Sequence, residues 1–285
     1  MWLFFALGSA FFAGLTAILA KIGVKDVSSN LGTAIRTIVI LFFSWLMVFL
    51  TGAQGGLSSL SAQTLLFLIL SGLATGMSWL CYFKALQLGN VNKVTPIDKS
   101  STILTILLSF LFLGEHLTAI KIAAMVLIAA GTFLMIEKKK DSRQSEDSKW
   151  LVFALGSALF ASLTSILGKV GIQDVNSNLG TAIRTLVVLV MAWLVVGVTG
   201  EFSGIRKVSK TSWKFLVLSG LTTGMSWLCY YRALQDGPVS VVAPIDKMSI
   251  LLTIAFSCLI LHESVSKKAL LGLAGVTAGT LLLLF

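Results

Sequence analysis

The sequence predicts an all-α polytopic membrane protein with ten transmembrane helices, arranged as two inverted five-helix repeats. Three observations predict it. Of 285 residues, 56% are hydrophobic and only 12% charged, with a mean hydropathy of +0.93; an average soluble domain carries about twice that charge. The apolar residues fall in blocks of roughly 20, the length that crosses a bilayer as helix, without the short alternating segments of an outer-membrane barrel. Finally, the chain repeats itself: each residue from Trp2 to Glu137 has a counterpart 148 positions on, ending at Phe285, without a gap. About half of these pairs are identical, with the longest runs at Ser29–Thr37/Ser177–Thr185 and Thr75–Tyr82/Thr223–Tyr230.

In chain order the first half offers apolar blocks at Trp2–Ala20, Leu31–Leu50, Thr64–Leu86, Val91–Leu113 and Ala119–Ile136. The second offers Trp150–Gly168, Leu179–Val198, Trp213–Leu234, Val239–Leu261 and Ala269–Phe285. The opening block resembles a secretory signal but lacks a basic n-region, and its return from Trp150 marks it as a true first helix. The chain divides into a first repeat at 1–137, a charged linker at 138–149 and a second repeat at 150–285. Because five crossings is an odd number, two copies in series sit upside down relative to each other. This is the plan of transporters built on an axis in the membrane plane.

The net charge of +10 is placed beside apolar blocks, where it orients helices and meets anionic headgroups, so no nucleic-acid partner is expected. One side collects Lys21, Lys25, Lys84, Lys93, Lys138–Lys140, Arg143, Lys149, Arg206, Lys207, Lys210, Lys214, Lys267 and Lys268. The other holds only Lys121, Lys169 and Arg232. The positive-inside rule then puts the linker in the cytoplasm and both termini outside, in a plasma (inner) membrane. Cys81, Cys229 and Cys258 lie within apolar blocks, and His116 and His262 stand beside Glu115 and Glu263 at block ends. No metal spacing, phosphate loop or Ser/His/Asp set appears, so no cofactor, ATP-driven step or enzymatic activity is expected.

Pro-Ile-Asp-Lys recurs at Pro96–Lys99 and Pro244–Lys247, early in each fourth block. Arg36 and Arg184 lie about 9 Å into the second helices, and Asp98 and Asp246 about 10 Å into the fourth, at 1.5 Å per residue. Arg36 and Asp98 therefore share a depth, as do Arg184 and Asp246, and an ion pair at each site is expected, with Lys99 and Lys247 in excess. Two readings stay open. These six residues form mirrored substrate or coupling clusters, their excess positive charge favouring an anionic or zwitterionic small molecule, or Arg–Asp pairs lock helices while the lysines snorkel. Charge inside a membrane is functional by default.

Thr95, Asp98, Thr102, Thr105 and Ser109 share one helical face; in the second half Asp246, Thr253 and Ser257 keep its deeper part. Thr105 and Thr253 are candidate cavity-lining residues, with helix contact as the plainer alternative. Trp79 with Tyr82, and Trp227 with Tyr230, are spaced to share a face and either wall a pocket or anchor at an interface. Pro96 and Pro244 remove an intrahelical hydrogen bond and mark a helix break. Gly72, Gly76, Gly220 and Gly224 suggest close helix crossings. Glu115 and Glu263 are expected to cap the helix that follows, and Lys21 and Lys169 to suit the ends of their own helices.

With Pro-Ile-Asp-Lys in each fourth helix, a glutamate at its end and a five-plus-five plan over nearly the whole chain, the sequence resembles the EamA branch of the drug/metabolite transporter superfamily. It looks like a fused pair of single-repeat EamA proteins. The resemblance implies transport of small metabolites, often export, without naming a substrate, and the family is usually described with both termini in the cytoplasm, opposite to the charge count. The expected function is a secondary active transporter working by alternating access, with proton exchange at Asp98 and Asp246 as the coupling hypothesis. A passive channel or uniporter and a lipid-linked sugar flippase are the alternatives. Fusion already supplies the pair that a single-repeat relative must find, which is compatible with a monomer.

Overall fold

A computed structural model describes residues 1–24, 26–88, 94, 97–135, 149–261 and 266–285. All regular structure among them is helical. In the first half α1 is Trp2–Gly23, α2 Ser29–Leu50, α3 Ala62–Leu88, α4 Ser101–Leu113 and α5 Ala119–Leu134. The second half gives α6 Lys149–Gly171, α7 Ser177–Thr199, α8 Lys210–Asp236, α9 Val239–Lys247, α10 Ser249–Leu261 and α11 Lys267–Leu282. Six helical stretches among the described residues are long and apolar enough to cross a membrane, including one that runs through α9 and α10.

Local chemistry sets the boundaries. The Ser28 hydroxyl accepts from the Leu31 N–H at the start of α2, and Ser209 and Ser266 do the same for α8 and α11, as helix N-caps should. After α2 and α7 the chain turns at Gly52 and Gly200, both with φ near +70°, a conformation that glycine adopts without steric cost. Each opens a short 3-10 segment, Ala53–Ser59 and Glu201–Lys207.

Helix polarity is inside out. On α1 the inward face carries Ala6, Ser9, Ala10 and Gly14, while Phe4, Leu7 and Phe11 face outward. On α2, Ile38, Phe42, Leu46 and Phe49 face outward, and Thr37 and Ser44 are buried. Large apolar groups outside and small or hydroxyl-bearing ones inside suit a hydrocarbon surrounding, where close helix approach and interhelical hydrogen bonds replace the hydrophobic drive.

The two halves interlock. The first helix of each half lies along the third helix of the other: α1 against α8, and α6 against α3. On α1 and α8 the partners run in opposite order, Ser9 with Ser226 and Thr16 with Ser219 and Thr222, so the helices are antiparallel. Thr164–Ser71 and Ser157–Ser78 likewise make α6 and α3 antiparallel. The mirrored helices α2 and α7 are antiparallel as well. Ser28 and Asn30 at the start of α2 bond Glu201 just beyond α7, and Asn178 at the start of α7 bonds Thr51 at the end of α2.

Glycine makes these contacts possible. A Cβ at Gly72 would meet the Arg184 carbonyl oxygen at 2.9 Å, and one at Gly220 the Arg36 carbonyl oxygen at 3.0 Å. Gly76 and Gly224 stand equally tight against Met191 and Phe43. The fifth helices, α5 and α11, pair chiefly with each other; there a Cβ at Gly131 would come 2.5 Å from the Gly272 carbonyl oxygen.

Each fourth block is divided rather than continuous. Residues 97–99 are helical, and Ser100 N–H then bonds the Ile97 carbonyl at 3.1 Å before α4 begins. In the second half Met248 N–H bonds the Ile245 carbonyl at 2.9 Å between α9 and α10. These i→i−3 bonds tighten the helix locally. The break therefore follows Lys247 instead of falling at Pro244, which is buried inside α9. Pro96, Thr95 and Glu263 lie outside the described residues, as does the linker apart from Lys149.

Candidate substrate cavity

The divided fourth helices bring Asp98 and Asp246 to the boundary between the halves, and each carboxylate is held by a serine from the opposite first helix. Ser157 Oγ donates to Asp98 at 2.7 Å, and Ser9 Oγ donates to Asp246 at 2.5 Å. The third helix completes each relay: Ser78 Oγ donates to the Ser157 carbonyl at 3.0 Å, and Ser226 Oγ to the Ser9 carbonyl at 3.1 Å. Each member of one relay has its counterpart in the other at the repeat offset of 148.

The arginines also reach across the boundary. Arg36 Nη2 donates to Thr223 Oγ1 at 2.8 Å, and Arg184 Nη2 to Thr75 Oγ1 at 2.7 Å. Arg184 adds a bond from Nε to Ser71 Oγ at 3.3 Å, and its guanidinium lies 4.4 Å from the Tyr231 ring centre and 5.2 Å from that of Trp227. The expected Arg36–Asp98 and Arg184–Asp246 ion pairs do not form among the described residues. The physical reason is competition: the serines of the opposite half occupy the carboxylates, and its threonines occupy the guanidiniums.

A cavity of about 450 Å³ lies between these relays. Its wall includes Arg36, Arg184, Asp246 and Lys247, the aromatic rings of Trp79, Trp227, Tyr230 and Tyr231, and a dense set of hydroxyls such as Thr33, Thr105 and Thr164. Of the residues singled out by sequence, then, Arg36, Arg184, Asp246, Lys247, Thr105, Trp79, Trp227 and Tyr230 meet at one wall. Asp98 is half-buried behind Ser157. Lys99 is exposed and is not among the lining residues. Two residues stand elsewhere: Tyr82 contacts the cluster of Ala85, Val94 and Ala154, and half-buried Thr253 spends its hydroxyl on the Ser249 carbonyl.

The wall is lopsided. Along α2 it runs through Thr33, Arg36, Thr37 and Ile40, whereas α7 contributes Arg184. Thr33 is half-buried, whereas its counterpart Thr181 is 0% exposed. Arg36 is half-buried with its Nε unpartnered, while Arg184 is 1% exposed and roofed by rings. Tyr230 closes that roof through a 2.8 Å bond with Ser165. The cavity thus reaches outward beside Arg36 and is sealed beside Arg184.

The sealed end is tied by charges. Glu115 does not cap the helix that follows it, a task taken by Thr118. Its carboxylate accepts from the Val239 N–H at 2.6 Å and the Ser240 N–H at 3.1 Å, at the N-terminus of α9 in the other half. Lys121 stands 3.7 Å from that carboxylate and donates to Ser240 Oγ at 2.8 Å. Lys169 Nζ donates to the Leu234 carbonyl and, at 3.1 Å, to those of Gln235 and Gly237, satisfying the end of α8 rather than of its own helix.

Sequence reasoning missed Ser9, Ser157, Ser71, Thr75, Thr223 and Tyr231. A signal was there: Ser9 and Ser157 sit in identical Ala-Leu-Gly-Ser-Ala segments, and Thr75 and Thr223 open the longest identical third-helix run. Small polar residues in a helix interface carry no mark of their partner, and only the interlock reveals it.

Comparison with known proteins gives the class, a membrane transporter with two fused repeats. The EamA-like transporter family matches residues 1–137 and again 148–285, and the chain belongs to that family. It is also 47% identical over 134 residues to a protein described as an uncharacterized transporter in the cobO 3' region of Sinorhizobium sp; the match covers 47% of this chain and 95% of that protein, so the relative is the size of one repeat. A crystal structure only 17% identical superposes with a TM-score of 0.81 over 97% of this chain and 96% of its own, a likeness of fold.

Proposed function

We propose that the protein is a secondary active transporter of a small anionic or zwitterionic metabolite, working by alternating access through ten crossings arranged as two inverted repeats. The observation that carries this reading is the unlike surroundings of two equivalent arginines, Arg36 open to the cavity and Arg184 sealed beneath Tyr231 and Trp227. Exchanging the two environments turns a cavity open beside Arg36 into one open beside Arg184, while the relays at Asp98 and Asp246 trade roles. Antiparallel contact between α2 and α7 and between α5 and α11 supports the inversion. The basic residues clustered at one end favour a cytoplasmic linker in a plasma membrane, and export is the direction that family membership favours. Asp98 and Asp246 are the proposed proton carriers.

The test is accessibility. In a variant freed of Cys81, Cys229 and Cys258, single cysteines at Thr33→Cys and Thr181→Cys are labelled with a membrane-impermeant maleimide in vesicles of known orientation. Alternating access gives Thr33→Cys labelling from one side and slow Thr181→Cys labelling from the other, the two rates changing in opposite directions when Arg184 is replaced. Fast labelling of both positions at once, with ion current linear in driving force, would establish a channel instead.

A further inference from the structure

The charges of the cavity do not balance. Asp98 and Asp246 each stand next to a lysine in sequence, Lys99 and Lys247, so these four charges cancel in number. Arg36 and Arg184 stand outside this cancellation. Their hydrogen bonds go to the neutral hydroxyls of Thr223, Thr75 and Ser71, and no carboxylate lies within ion-pair distance of either among the described residues. Arginine stays charged in any protein environment. The Tyr231 and Trp227 faces attract the Arg184 cation but bring no negative charge, and Arg36 keeps an unpartnered, buried Nε–H.

A low-dielectric cavity with two surplus guanidiniums selects what enters it. An ammonium group would need a carboxylate, and the one on the cavity wall, Asp246, already accepts from Ser9. A guanidinium fork is matched by carboxylate or phosphate oxygens, and the surrounding threonine and serine hydroxyls can donate to the remaining oxygens of such a group. The volume of about 450 Å³ suits a small metabolite. We propose that the cavity takes an organic dianion, a dicarboxylate or a phosphate monoester, with one anionic group on Arg36 and the second directed to Arg184. This rests on the transporter reading and narrows it from anionic or zwitterionic to doubly anionic.

The experiment is titration calorimetry of the purified full chain in low-chloride buffer with succinate, glycerol 3-phosphate, butyrate and leucine. Succinate or glycerol 3-phosphate is expected to bind saturably and at least about tenfold tighter than butyrate or leucine, since loss of one charge-assisted contact is worth roughly that factor; whichever binds names the group. Arg36→Gln should weaken that binding at least about tenfold, and Arg36→Lys, which keeps charge and fold, should recover part of it. Leucine binding as tightly as the dianions, butyrate matching succinate, or no saturable binding of either dianion would each overturn the proposal. The transporter reading would then still be decided separately by labelling at Thr33 and Thr181, which needs no ligand.

Discussion

Ser157 donates a 2.7 Å hydrogen bond to Asp98, and the two residues belong to different repeats. Ser9 and Asp246 repeat the relationship with the halves exchanged. Each half thus supplies the group that holds the other half's carboxylate, and a change in one relay bears on how the halves meet.

Replacing Ser157 by Ala leaves the Asp98 carboxylate short of a donor inside the protein. A hydrogen bond to a charged group is worth about 1.5–3 kcal/mol, so Ser157→Ala should lower the melting temperature in detergent measurably, and Asp98→Asn in the same background should restore part of the loss. If Ser157→Ala alone melts with the parent, the bond is not holding the carboxylate. The double variant Asp98→Asn/Asp246→Asn should lose the response of uptake to a pH gradient; uptake that keeps the full response would remove the aspartates from proton coupling.

Arg184 holds the sealed side through two rings, each contact contributing about 0.5–2 kcal/mol. Arg184→Gln keeps a polar reach toward Ser71 and Thr75 but gives up both ring contacts. A Thr181→Cys probe should then react several-fold faster with a polar maleimide, whereas Arg36→Gln should leave that rate unchanged. Equal effects of the two substitutions would contradict the asymmetry of the cavity.

Glu115 satisfies two backbone N–H groups of α9, and such caps contribute roughly 0.5–2 kcal/mol. Its neighbour Lys121 forms an ion pair with it at 3.7 Å, and Glu115→Ala removes that pair together with both backbone contacts, whereas Lys121→Met leaves the backbone contacts in place. Glu115→Ala is therefore expected to loosen the sealed end more than Lys121→Met does, read as Thr181→Cys labelling and as thermal stability. The reverse order would assign the closure to the ion pair.

Two glycines separate crowding from backbone strain. Gly131→Leu forces α5 off α11, where a Cβ alone comes 2.5 Å from the Gly272 carbonyl oxygen, and overpacking of this kind costs about 1–3 kcal/mol. Gly52→Ala meets nothing within 4 Å but must hold φ at +69°, at about 1–2 kcal/mol. Melting curves should show both losses; a Gly131→Leu variant that melts with the parent would remove the crowding at the α5–α11 contact.

Much of the fold was legible because a bilayer imposes length and composition directly. The blocks starting at Trp2, Leu31 and Trp150 became α1, α2 and α6 with ends moved by a few residues, where Ser28 supplies a cap. The break after Lys247 was not legible: its tight turn is built on Ser100 in one half and Met248 in the other, two residues with no shared turn chemistry, while Pro244 drew attention four positions early. Individual charges were visible, and their depth could be counted from helix rise. Their partners could not, because depth says nothing of azimuth. Arg36 was assigned to Asp98 within its own half, but the interlock turns it to Thr223.

That interlock also sets a timetable. Ribosomes add roughly 5–20 residues per second, so at that pace Ser157 follows Asp98 by about 3–12 s and Thr223 follows Arg36 by about 9–37 s. Through those intervals Asp98 has no serine and Arg36 no threonine, and both wait in a half-built bundle whose polar faces have nothing to cover them. Biogenesis of this chain must therefore include a stage at which the insertion machinery, or water held beside it, shelters the first half until the second arrives.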